Sequence, residues 1–122
     1  MARLLLVEDD ESLARVFLRI LERGSHDVKA ATNYETASEL LGDDHVFDLA
    51  ILDFWIGEES SLGFLRELRK RFPGIPVLYV SGGGGGLSLE ATAALAETGG
   101  AAEFLVKPLR PNEILSAVDR LL

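Results

Sequence analysis

Five short apolar runs, each followed by a stretch of helical period, constrain this chain more than any other feature. The runs are Leu4 to Val7, Asp27 to Ala31, Val46 to Leu52, Ile75 to Val80 and Ala102 to Val106. Their length and apolar character suit strands covered on both faces. Between the first two runs, Leu13, Val16, Phe17, Ile20 and Leu21 recur at helical spacing, and the same pattern marks Tyr34 to Leu41, Leu62 to Phe72, Leu89 to Leu95 and Ile114 to Leu122. Punctuation agrees with this division. Gly24, Pro73-Gly74 and Gly99-Gly100 follow helical segments, Asn33 and Ser88 are expected N-caps, and Pro111 suits a first helical turn. Arg110 stands where a capping Asp or Ser is preferred, so that helix end is expected to fray.

Strict alternation of strand and helix implies a parallel sheet, because each right-handed crossover lays its helix against a face. The expected fold class is α/β, a flavodoxin-like (βα)5 doubly wound parallel sheet with strand order 2-1-3-4-5. In that order the chain reverses between strands one and three, and a crevice opens at their carboxyl ends. The 122 residues allow one domain, expected over 1–122, and 48% hydrophobic residues fill its core without a staple. The lack of cysteine excludes thiol chemistry, zinc fingers and disulfide scaffolds. A net charge of −8, from 12 basic and 20 acidic residues, opposes direct binding of nucleic acid or anionic lipid. The first apolar run is too short for a signal-peptide core or a membrane span, so a soluble, cytoplasmic domain is expected. Five consecutive glycines, Gly82 to Gly86, read as a mobile loop beside the crevice rather than a tether between domains.

Acidic residues gather where the crevice should open. Glu8, Asp9 and Asp10 end the first strand, and Asp53 ends the third, inside the apolar run Ala50-Ile51-Leu52-Asp53-Phe54-Trp55-Ile56. Carboxylates brought together repel one another unless a cation lies between them, and an oxygen-only set without His or Cys suits magnesium. On the residues alone, Glu8, Asp9 and Asp10 equally suit a solvated acidic helix start that complements the helix dipole. Asp53 is harder to explain so, because an acid in an apolar run costs stability unless it reaches solvent or a partner. Ser81 and Lys107-Pro108 close the fourth and fifth strands and place a hydroxyl and an ammonium opposite the acids. Each is ordinary by itself.

As a set, these residues resemble the receiver domain of two-component response regulators, over essentially the whole chain. Leu5-Leu-Val-Glu-Asp-Asp10 is similar to that family's first acidic motif and Asp48-Leu-Ala-Ile-Leu-Asp53 to its phosphoacceptor strand. Val80-Ser81-Gly82 is similar to its Thr/Ser strand and Phe104-Leu-Val-Lys107-Pro108 to its Lys-Pro motif. The resemblance implies that Asp53 takes a phosphoryl group from a histidine kinase or a histidine phosphotransfer protein. It implies a Mg2+ ion held by Asp9 directly, by Glu8 through water, by Asp53 and by the backbone carbonyl of Trp55, with Asp10 just outside the set. Lys107 and Ser81 would grip phosphate oxygens, Lys107-Pro108 would be a cis peptide, and Phe104 would turn inward as Ser81 moves. By the same resemblance the output is the face of the fourth helix, fifth strand and fifth helix, which also suits a weak homodimer. The strand alternation alone leaves Phe104 equally a core residue. Such a domain is no stand-alone enzyme; it catalyses its own phosphotransfer and dephosphorylation, alone or as part of a hybrid sensor histidine kinase.

Several positions depart from that family's pattern. Gly57 stands where Pro is usual, Gly63 comes ten residues after Asp53, and the loop after the third strand therefore reads as two residues longer. Trp55 is bulkier than usual, and Gly83 offers no side chain to place an attacking water, so slow loss of phosphate is expected. Rival magnesium folds fit poorly. A Toprim site needs a second acid after Asp53, a haloacid-dehalogenase phosphatase needs Asp-x-Asp followed by Thr on the first strand, and no glycine-rich nucleotide loop follows that strand. His26 and His45 lie away from the crevice and are expected in surface loops. The remaining alternative is a non-phosphorylated pseudo-receiver acting as an interaction module, whose usual sign, loss of the Asp, Lys or acid pair, is missing here.

Overall fold

The computed structural model describes residues 2–42, 45–82 and 86–122. Five parallel strands, β1 (Arg3–Val7), β2 (Asp27–Ala31), β3 (Leu49–Asp53), β6 (Val77–Ser81) and β7 (Glu103–Val106), form one sheet in the order β2-β1-β3-β6-β7. Counting only these five, the order is the expected 2-1-3-4-5 of a doubly wound sheet. The central strands β3 and β6 are buried at every residue, as continuous apolar runs in a two-sided sheet must be.

Helices α1 (Glu11–Arg23) and α5 (Pro111–Leu121) cover one face, and α2 (Tyr34–Gly42), α3 (Leu62–Arg71) and α4 (Leu89–Thr98) the other. The core divides accordingly. Leu4, Leu6, Leu49, Ile51, Leu78 and Val80 point toward α1 and α5, while Leu5, Val7, Ala50, Leu52, Val77 and Tyr79 point toward α2, α3 and α4. Among the described residues no helix is long and apolar enough to cross a membrane.

The expected helix starts are present. Asn33 Oδ1 accepts the Thr36 N–H at 2.7 Å, Ser88 Oγ accepts from Ala91 at 3.1 Å, and Asp10 Oδ1 caps α1 by accepting from Leu13 at 3.1 Å. At α5, where fraying was expected, Arg110 makes no side-chain cap, but the Glu113 carboxylate reaches back and accepts the Arg110 backbone N–H at 3.2 Å.

Three elements differ from the sequence expectation, the first being β6, which begins at Val77 rather than Ile75. The third strand begins at Leu49 rather than Val46, because Asp48 turns its side chain back to the Arg3 N–H at 2.8 Å and leaves Val46 outside the ladder, 53% exposed. The longer loop after Asp53 folds into a hairpin in which β4 (Trp55–Ile56) pairs antiparallel with β5 (Glu59–Ser60). Gly57, at φ +61°, makes its tight turn without the strain a side chain would bring. The expectations placed on Gly83 and on most of the glycine run fall at 83–85, outside the described residues.

Candidate functional site

Strand register assembles the site. Val7 lies opposite Leu52, Asp53 opposite Val80 and Ser81 opposite Val106, so the residues ending each strand meet along one edge of the sheet. There one carboxylate oxygen each from Glu8, Asp9 and Asp53 lies within 4.8 Å of the others. Glu8 is 1% and Asp53 5% exposed, whereas Asp9 faces solvent. Lys107 enters from the far side, its Nζ 2.5 Å from Glu8 Oε1 and 3.2 Å from Asp53 Oδ2. The Lys107 backbone N–H donates to the Ser81 carbonyl at 2.9 Å, and the Lys107-Pro108 peptide is cis, as the resemblance implied.

An open cleft of about 630 Å³ lies over Asp53, lined by Asp9, Asp10, Asp53, Trp55, Gly57, Gly82 and Lys107. Of the residues picked from the sequence, the structure brings Glu8, Asp9, Asp53, Trp55 and Lys107 together here. Ser81 closes the same edge but is fully buried and does not line the cleft. Asp10 sits on the rim as the α1 cap, so the acidic start divides: Asp10 serves the helix, while Glu8 turns inward and accepts the Asp10 N–H at 3.2 Å.

The electrostatics follow from charge and burial. Three carboxylates face one ammonium. Burial first, and then hydrogen bonding and repulsion from Glu8, raise Asp53 from 3.8 to about 8 against the pull of Lys107. Burial by itself would lower Lys107, but its hydrogen bond to Glu8 and the charges of Asp53 and Glu8 leave it raised. Both shifts describe a centre short of positive charge. A divalent cation would supply it, and the oxygen donors suit a small hard ion.

Two contacts were not foreseen. Tyr34, expected only as a helix residue, is 7% exposed; its hydroxyl donates to the Asp53 carbonyl at 2.6 Å and lies 3.3 Å from that of Phe54. Its ring stacks on Phe64 with centroids 5.6 Å apart, and burial pushes its hydroxyl above the ordinary tyrosine value. Trp55 reaches Thr92 on α4, its indole N–H donating to the threonine hydroxyl at 3.1 Å. Phe104 is half-buried against the core. Neither histidine lines the cleft. His26 is not a surface residue as expected: its side chain is 8% exposed, its Nδ1 accepts the Ala2 N–H at 3.3 Å, and its Nε2 lies 3.5 Å from Asp119. His45 is half-buried beside Phe47.

The family model described as "Response regulator receiver domain" matches residues 4–119. The alginate biosynthesis transcriptional regulatory protein AlgB of Pseudomonas putida is 35% identical over 120 residues, which cover 98% of this chain and 26% of AlgB. This chain therefore spans about a quarter of that relative's length. Among solved structures, a Burkholderia pseudomallei response regulator with a phosphorylated aspartic acid, calcium ion and citrate is 31% identical with a TM-score of 0.82, covering 96% of this chain and 66% of its own. NtrX from Brucella abortus is 28% identical with a TM-score of 0.86, covering 99% of this chain and 27% of its own. With the motifs, the sheet order and the family match in agreement, the chain belongs to the response regulator receiver domain family.

Proposed function

We propose that this chain is a phosphoacceptor signalling domain in which Asp53 takes a phosphoryl group in a magnesium-dependent reaction. The observation that carries the reading is the placement of Asp53: a nearly buried carboxylate at a strand end, 3.2 Å from a lysine ammonium and within 4.8 Å of two further carboxylates.

In the step proposed, an Asp53 carboxylate oxygen bonds to phosphorus while the phosphorus–nitrogen bond to a donor imidazole breaks, and the imidazole leaves with the bonding pair. The donor is a histidine kinase or histidine phosphotransfer protein. With magnesium bound, Asp53 would be ionised and would need no general base, so the site's work is alignment and neutralisation of charge on the equatorial oxygens. Lys107 supplies one cation to those oxygens. Glu8, Asp9, Asp53 and the Trp55 carbonyl would hold magnesium, which when bound neutralises both the carboxylates and the phosphoryl oxygens. Ser81 would come to the phosphate by turning its hydroxyl toward the cleft, with Phe104 following inward. The output face is α4, β7 and α5, where Leu89 and Val106 are 36% and 47% exposed and would also support a weak homodimer. The phosphorylated aspartic acid and metal ion named for the Burkholderia structure support this reading by likeness.

The test is intact mass after incubation with acetyl phosphate, with and without Mg2+. A phosphoryl adduct that needs the metal is expected. No adduct, together with no magnesium binding, overturns the reading and leaves an interaction-only module.

A further inference from the structure

The Trp55 side chain joins two parts of the molecule that the sheet ladder does not connect. On one side the residue contributes to the lining of the cleft over Asp53, with Gly57, Gly82 and Lys107 around the same space, and its ring meets that of Phe54 edge-on at 5.1 Å. On the other, its indole N–H donates to the Thr92 hydroxyl at 3.1 Å. Thr92 has no exposed surface, and its own backbone N–H donates to the Ser88 carbonyl at 2.9 Å in the first turn of α4. The acceptor is thus fixed to the helix rather than to a loop.

An indole N–H only donates, and when shielded from water it needs one acceptor. Without that acceptor the ring would be held by its packing against Phe54 and the core, with no partner fixing its N–H edge. With it, one orientation is held. Two residues beyond Asp53, that orientation decides how much of the cleft is open to water.

We propose that Thr92 is a positioning residue. By accepting the Trp55 indole N–H it holds the ring on the cleft wall, so that the ring screens a phosphoryl group on Asp53 from water and the lifetime of that group depends on the placement of α4. This rests on the reading of Asp53 as phosphoacceptor. Hydrolysis of an aspartyl phosphate needs a water molecule in line with the bond that breaks, between phosphorus and the Asp53 oxygen, and a fixed ring at the wall reduces that approach. A partner that shifts α4 would therefore change the rate of phosphate loss without touching the site.

The test compares Thr92→Val, nearly the same shape without an acceptor, with Thr92→Ser, which keeps the hydroxyl. Each full chain is phosphorylated with acetyl phosphate and Mg2+, the donor is removed, and loss of the adduct is followed by mass. Acrylamide quenching of the chain's single tryptophan is read on the unphosphorylated proteins. We expect Thr92→Val to lose phosphate about 3- to 10-fold faster than wild type, the factor corresponding to the net worth of one hydrogen bond, with stronger quenching. Thr92→Ser should match the wild type in both. Normal uptake with equal loss rates, or a Thr92→Ser as fast as Thr92→Val, would overturn the role of Thr92 alone. A wild type that takes up no phosphoryl group would instead overturn the reading of Asp53 beneath it.

Discussion

Lys107 Nζ lies between two buried carboxylates, 2.5 Å from Glu8 and 3.2 Å from Asp53, so a single ammonium is shared by the two acids that end neighbouring strands. On the proposed reading it serves twice: it holds the acids together before phosphorylation and would meet the phosphoryl oxygens afterward. Lys107→Ala should slow phosphoryl uptake at saturating Mg2+ by about 10²- to 10³-fold, the usual cost of removing one group that stabilises transition-state charge. Uptake followed by intact mass checks this, and an unchanged rate would count against it.

Asp53 predicts a pH dependence of stability. Its folded value of about 8 lies above the 3.8 of an ordinary aspartate, so between those values the folded protein keeps a proton that the unfolded chain has released. Stability of the metal-free protein should therefore be greatest at the acid end of that window and fall as pH rises through about 8. Urea midpoints measured across this range should decline for the wild type and stay flatter for Asp53→Asn, and excess Mg2+ should reduce the decline. A wild-type midpoint that declines no more steeply with pH than that of Asp53→Asn would contradict the assignment.

Trp55 predicts the persistence of the phosphorylated state. Trp55→Asn removes the ring from the cleft wall and substitutes a side chain able to hold water. Loss of phosphate should quicken by more than in Thr92→Val, with uptake still dependent on Mg2+. An unchanged rate of loss would show that the ring gives no shielding.

Tyr34→Phe deletes only the hydroxyl that donates to the Asp53 carbonyl at 2.6 Å, and it keeps the ring stacked on Phe64. The buried carbonyl then loses a partner, at a cost of about 1 to 3 kcal/mol in chemical denaturation. A change within error would mean that another group takes over the carbonyl.

Much of the fold and part of the site were legible in the sequence for physical reasons. β1, β3 and β6 read clearly because strands buried on both faces are continuous apolar runs, and Asp53 stood out because a charge interrupts one of them. Asn33 and Ser88 were legible as caps because their side chains bond within three residues. What escaped depended on distant contacts. The β4–β5 hairpin has two residues per strand, too few to show a period. Thr92 looks like any helix residue until α4 is laid beside Trp55, and the hydroxyl of Tyr34 gains meaning only from the carbonyl nineteen residues away. His26 carried no sign that the chain terminus and α5 would enclose it. Glu8 and Lys107 were both picked, but their direct pairing follows from the strand register, which no local pattern records.

The most direct test of the central claim is to locate the phosphoryl group. After phosphorylation with acetyl phosphate and Mg2+, borohydride reduction converts an aspartyl phosphate to homoserine, which tandem mass spectrometry places in the sequence. The account predicts homoserine at position 53 alone, and none in Asp53→Ala. Reduction at Asp9, Asp10 or elsewhere with position 53 untouched would contradict it.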